Sequence, residues 1–211
     1  MRRLLVYYPQ HISDRMPELT SILLKCPITS VCSLDWKGVM SILVGQGSYV
    51  YLCQNGAVHQ RLRIFQASAV HSIKSFNDRI LVTGGKSVAT LECCPASGEL
   101  KLRDRETCMQ DWLWDALWSG DHYYFLTAHN RVVVTDARLR PETVLTCREK
   151  CILYSGFLHP ARLAGVLVLA GSVFSQILVW DTTTCTDEAR VLHRYVIILS
   201  SVSVKIWVPT N

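Results

Sequence analysis

Val168-Leu-Ala-Gly-Ser-Val-Phe-Ser-Gln-Ile-Leu-Val-Trp-Asp181 is the stretch that decides the architecture. Two short apolar runs flank a turn of small and polar residues, and the second run ends in Trp-Asp. Runs this short and this rich in Val, Ile and Leu read as strands. From Leu163 to Trp180 there is no charge, but the turn at Gly171–Ser175 splits the segment. Two buried strands therefore fit better than a single membrane span of ~20 residues. Outward from here, the small residue closing the first run, Ala170, has counterparts in Gly45, Gly84 and Ala128. These positions stand 39, 44 and 42 residues apart. That spacing is the period of one four-stranded propeller blade, roughly 40–45 residues.

The blocks between these markers each offer four short strands. The first contains Ile28–Leu34, Val39–Val44, Tyr49–Cys53 and Val58–Phe65, with Asn55-Gly56 as the φ > 0 pair of a two-residue hairpin. The second contains Val70–Phe76, Arg79–Thr83, Ser87–Glu92 and Glu99–Arg103. The third has Leu113–Trp118, His122–Thr127, Arg131–Asp136 and Thr143–Arg148. The fourth has Cys151–Leu158, Gly165–Ala170, Gln176–Asp181 and Arg190–His193. Thr20–Cys26 and Glu106–Trp118 have some helical character, but the blade rhythm places both at the start of blades. The expectation is an all-β fold, a partial WD40-type β-propeller of about four blades plus an incomplete fifth. Its divisions are a lead-in over 1–22, blades over 23–66, 67–106, 107–149 and 150–194, and a truncated blade over 195–211. Ser203-Val-Lys-Ile-Trp207 resembles Gln176–Trp180 but follows it by 27 residues, about 15 short of a period. The expectation is that the chain is part of a longer protein or a shortened form of one.

Bulk composition agrees. The 211 residues are 49% hydrophobic and 18% charged, with 22 basic against 17 acidic side chains for a net charge of +5. Mean hydropathy is +0.19 and the pI is near 8.7. A disordered chain is excluded, and the charge is weaker than that of a dedicated nucleic-acid binder, whose pI exceeds about 9. The nine cysteines contain no Cys-x-x-Cys, so neither a disulfide ladder nor a zinc site is expected. A reducing compartment suits them.

Met109-Gln-Asp-Trp-Leu-Trp-Asp-Ala-Leu-Trp118 is followed by Leu126-Thr-Ala-His-Asn-Arg-Val-Val-Val134, Cys147-Arg-Glu-Lys-Cys-Ile-Leu-Tyr154 and the stretch quoted first. In that order the chain resembles the N-terminal propeller of the WD repeat-containing protein 6 family. The resemblance is strongest over Met109–Thr184. It implies a non-catalytic partner of a separate tRNA 2′-O-methyltransferase that modifies nucleotide 34, the wobble position. It further implies tRNA as a partner, directly or through that enzyme, and a cytoplasmic location. No cofactor, no binding of S-adenosylmethionine by this chain and no membrane partner are expected. The runner-up is a general WD-type interaction scaffold in signalling or trafficking, without an RNA role.

The motif residues divide by role. Trp112, Trp114 and Trp118 alternate, so period two would point all three to one face of a strand. Packing between blades is the reading adopted, and an exposed patch for a protein or an unpaired base is the alternative. Asp111 and Asp115 should tie down loop amides, and Trp180-Asp181 should pack at a strand end and begin a turn. Arg61 and Arg63, and likewise Lys101, Arg103 and Arg105, alternate along probable strands. They are candidate RNA or partner contacts on solvated faces. No catalytic or metal residue is expected. Gly84-Gly-Lys-Ser87 lacks the first glycine of a phosphate loop, since position 80 is Ile80, and none of the seven histidines has a partner at i+4.

Overall fold

A computed structural model describes residues 2–7, 19–24, 27–36, 39–76, 79–94, 97–148, 152–160, 166–172, 176–182 and 190–194. Among these residues the secondary structure is all strand. β1 (Arg2–Tyr7) and β2 (Leu19–Leu24) pair antiparallel in a small sheet of their own, so β2 runs across the expected boundary between the lead-in and the first blade.

Four sheets of four antiparallel strands follow, each a meander. The first is β3 (Ser30–Trp36), β4 (Val39–Gln46), β5 (Tyr49–Gln54) and β6 (Ala57–Arg63). The second is β7 (Ser72–Phe76), β8 (Arg79–Gly84), β9 (Ser87–Cys93) and β10 (Leu100–Cys108). The third is β11 (Leu113–Ser119), β12 (His122–Thr127), β13 (Arg131–Thr135) and β14 (Pro141–Thr146). The fourth is β15 (Leu153–Pro160), β16 (Val166–Ser172), β17 (Gln176–Asp181) and β18 (Arg190–Arg194). Asn55 and Gly56 both take positive φ, 48° and 78°, as the hairpin between β5 and β6 requires. The sequence similar to β17 at Ser203–Trp207 lies outside the described residues.

The sheets stack face against face, and this explains their apolar runs. On β12, Tyr123 and Phe125 join Leu81 and Val88 of the second sheet in one core. Their neighbours Tyr124 and Leu126 point the other way, into a core with Leu153, Val168, Leu178 and Trp180 of the fourth sheet. A strand buried on both faces has no need of alternation. β8 behaves likewise: Ile80 and Val82 face the first sheet, while Leu81 faces the third. The first strands of neighbouring sheets also pack on one another, β3 on β7 and β11 on β15. They line the propeller axis, and the described blades form an arc that is not closed.

The marker glycine at 84 has a steric reason. A Cβ there would stand 2.1 Å from the carbonyl oxygen of Ala69 and 2.7 Å from the Phe65 ring. The linker between the first two blades crosses at that point, so any side chain would force it away.

Candidate interaction surface on the linker rim

One end of the arc gathers the inter-blade linkers together with the turns β4–β5, β8–β9 and β12–β13. Backbone bonds tie linkers to turns: Val70 N–H donates to Gly47, Leu113 N–H to Gly85, and Ala128 N–H to Trp112. The Asp-Trp-Leu-Trp-Asp block sits on this rim and leads into β11.

β11 departs from simple alternation. Leu113 pairs with Thr127, but Asp115 pairs with Leu126, so Trp114 is an extra residue in a β-bulge. The bulge reverses the faces beyond it. Leu113, Ala116 and Trp118 share the core with the second sheet, while Trp112 and Trp114 stand 39% and 36% exposed. The expectation of three tryptophans on one buried face is therefore corrected. Of the three, Trp118 packs against the core shared with the second sheet, edge-on to its cross-strand neighbour Tyr123 at 6.0 Å. β15 repeats the bulge, since Leu153 pairs with Ser172 and Ser155 with Gly171. Its extra residue, Tyr154, is 47% exposed. Trp114 and Tyr154 meet at 5.0 Å between ring centroids, Trp112 and Trp114 at 6.5 Å, and His71 and Trp112 at 5.3 Å. A continuous aromatic row thus crosses three blades. The sequence reading missed His71 and Tyr154, although Tyr154 follows Trp114 by about one blade period.

The carboxylates flanking the row accept from backbone amides and from side chains. Asp111 accepts from the N–H of Trp112 at 2.7 Å and of His129 at 3.1 Å. The His129 ring lies against it, with Nδ1 2.8 Å from Oδ1. Burial pushes the Asp111 carboxyl up, but the bonds from His129, Trp112 and Thr127 outweigh it and leave the group below the ordinary carboxylate range. Asp115 is 7% exposed and accepts from its neighbour Ala116 N–H at 2.9 Å. Its other oxygen accepts from Gly156 N–H of the fourth blade at 3.0 Å. It is also ion-paired with Lys74 of the second blade. A single carboxylate thereby joins three inner strands.

Trp180 is fully buried, with its indole N–H donating to Thr146 of the third blade at 2.8 Å. Asp181 ends β17 opposite Leu167. The indole thus spans two sheets rather than closing one strand.

The basic candidates lie away from the aromatic row, on outer strands. Arg61 lies over the Tyr49 ring at 3.8 Å, and Arg63 donates to the carbonyls of Phe65 and Gln66. On β10, Lys101 and Arg103 are exposed, but the expected shared face is corrected. Leu102 pairs with Leu91 and Asp104 with Thr90, which leaves Arg103 at a register break. Asp104 takes the next place on the Lys101 face. Arg105 lies further along β10. The rim itself holds exposed cations that were not singled out from sequence: Lys86 in the β8–β9 turn, Arg131 at the start of β13, and Arg148 after β14. Its carboxylates are occupied, Asp111 as above and Glu106 by Ser87 Oγ–H and Gln66 N–H.

A shallow, open groove of about 260 Å³ between the inner strands is lined chiefly by Lys74, Leu117, Trp118, Phe157 and Leu158. It is apolar except for Lys74 and Ser75. Among the described residues no group of three or more His, Cys, Asp or Glu side chains could hold a metal ion. No described helix is long and apolar enough to cross a membrane.

Stacked four-stranded meanders, with a buried Trp before Asp at a strand end, define a WD-repeat β-propeller segment. Its fold is similar to that of two crystal structures of BBS1N in complex with ARL6DN. The lead-soaked one has TM-score 0.59 at 13% identity, covering 79% of this chain and 55% of that one. The mercury-soaked one has TM-score 0.61 at 11% identity, covering 84% and 58%. The particular resemblance is to the WD repeat-containing protein 6 family, as the tryptophan block implied. The chain is 33% identical over 86 residues to the tRNA (34-2'-O)-methyltransferase regulator WDR6 of Bos taurus, 40% of this chain and 8% of that protein. The Homo sapiens protein of the same name is 33% identical over 85 residues, and that of Rattus norvegicus 31% over 83. The matched stretch covers 7% of each of these two. No family model matches the chain.

Proposed function

We propose that the chain serves as a non-catalytic WD-repeat subunit supporting 2′-O-methylation of tRNA nucleotide 34 by a separate methyltransferase, in the cytoplasm. The similarity to proteins named as regulators of that reaction carries the reading. The architecture supports it: the blades bury their own cores and leave the rim for partners. In this role the chain holds the enzyme, and the enzyme or the chain itself holds the tRNA.

The test is co-purification of the full chain with its cognate methyltransferase, followed by a methylation assay with and without the chain. The expected result is a complex that methylates faster than the enzyme alone. A full-length relative whose deletion leaves wobble methylation unchanged overturns the reading. So does a chain that binds no methyltransferase. Cell fractionation tests the compartment.

A further inference from the structure

We propose that the aromatic row His71–Trp112–Trp114–Tyr154 is a stacking platform for unpaired bases of single-stranded RNA, with Lys86 and Arg131 contacting phosphates beside it. This rests on the function proposed above for the identity of the partner as RNA. The geometry of the row supplies the rest.

Large aromatic side chains are normally drawn into the core, where each removes 150–250 Å² from water. Here two successive bulges lift Trp114 and Tyr154 out of their sheets at the same place in neighbouring blades. Leu113 and Leu153, beside them, remain buried and fill the core without their help. The exposed rings then contact one another in series, tilted by 45° and 56° rather than stacked face to face. Trp112, Trp114 and Tyr154 are each more than a third exposed, so part of each side chain meets solvent. Bases stack on exposed aromatic rings with little regard to sequence.

Charge selects the visitor. At the opposite rim, cations stand beside acidic partners: Arg79 lies 3.9 Å from Asp121, and the charges of Arg140 and Arg138 act on Asp136, which also accepts from their backbone amides. At the linker rim the carboxylates Asp111 and Glu106 are engaged by amides and hydroxyls, while Lys86 and Arg131 are exposed. Lys86 donates to the Gln110 carbonyl at 2.9 Å, two residues before Trp112 in the chain. Flat rings on a rim that also carries exposed positive charge complement a strand of bases on a phosphate backbone. A proline-rich peptide would use the rings but gain nothing from the cations.

The experiment titrates the purified full chain with a fluorescent, unstructured oligouridylate and with an abasic oligomer of equal length, following tryptophan quenching and anisotropy at several salt concentrations. The base-bearing oligomer should bind roughly tenfold or more tighter than the abasic one, and Trp112→Ala or Trp114→Ala should each weaken it roughly tenfold. Trp114→Phe, which keeps a ring, should retain most of the affinity and guards against misfolding as the cause. Lys86→Gln or Arg131→Gln should weaken both oligomers alike and reduce the salt slope by about 0.7. Equal binding of the two oligomers overturns the platform. So does unchanged binding by both alanine variants, or capture of a proline-rich peptide with no capture of the oligomer. No methyltransferase is present in this assay, so its failure is separate from failure of the proposed function. A chain that stimulates methylation yet ignores base content keeps its role and loses the platform.

Discussion

Trp180 and Trp114 belong to the same chain and the same kind of module, yet one is sealed from water and the other is not. Trp180 lies on the third strand of its blade, on the face that packs against the third sheet. Its ring is fully buried, and its N–H is satisfied by the Thr146 carbonyl. Trp114 lies at the start of an inner strand, at a bulge, and is 36% exposed. Residue type says little about the outcome. Place in the blade, and one inserted residue, say nearly everything.

The comparison breaks most sharply at Trp180. Trp180→Ala removes the largest fully buried side chain of the core shared by the third and fourth blades and strands a carbonyl at Thr146. The expected loss is about 3–5 kcal/mol in chemical denaturation. Trp114→Ala in the same measurement should cost only about 1 kcal/mol, the worth of an aromatic contact with Tyr154. Comparable losses at the two positions would mean that the exposed row is a structural element after all.

Asp115 should have the next largest effect. Asp115→Ala leaves the amides of Ala116 and Gly156 without their acceptor and Lys74 without its partner. Unmade bonds of this kind cost about 1–3 kcal/mol each when buried, so a loss of about 2–3 kcal/mol is expected. Because the carboxylate joins three blades, hydrogen exchange in β7 and β15 should quicken along with that in β11. Exchange confined to β11 would show that the tie is local.

These two sites also mark what the sequence could and could not say. β12 and β17 coincide with the strands read over His122–Thr127 and Gln176–Asp181, because uninterrupted apolar residues bounded by turns have few other conformations. The Asn55-Gly56 hairpin was legible for the same local reason. The bulge at Trp114 was not, since nothing in Trp-Leu-Trp-Asp distinguishes an extra residue from an alternating one. The same blindness put Lys101 and Arg103 on one face. The Lys74–Asp115–Gly156 tie was hidden differently. Asp115 and Gly156 lie 41 residues apart, and Lys74 precedes Asp115 by the same interval. Aligning the repeats on their inner strands, rather than on their turns, would have placed all three side by side. Tyr154 would have emerged from that alignment beside Trp114.

The smallest effect concerns Asp111, on the exposed side of the comparison. Its carboxyl is raised by burial but lowered further by His129 and the Trp112 amide, so its folded-state pKa lies below the ordinary aspartate value of 3.8. A group depressed on folding contributes stability that is complete above its unfolded pKa and fades as pH falls through the folded one. Asp111 should therefore stabilise the rim fully at neutral pH and release it only in acid, below the usual carboxylate range. In thermal melts the parent should lose more stability than Asp111→Asn as pH drops below about 4, with the two curves parallel above that. The difference should be slight, because the site lies near solvent and screening weakens it. Greater acid sensitivity in the asparagine variant would reverse the sign and show that burial, rather than the His129 and amide bonds, governs this carboxylate. The exposed row would then lack the anchored edge that holds Trp112 in place.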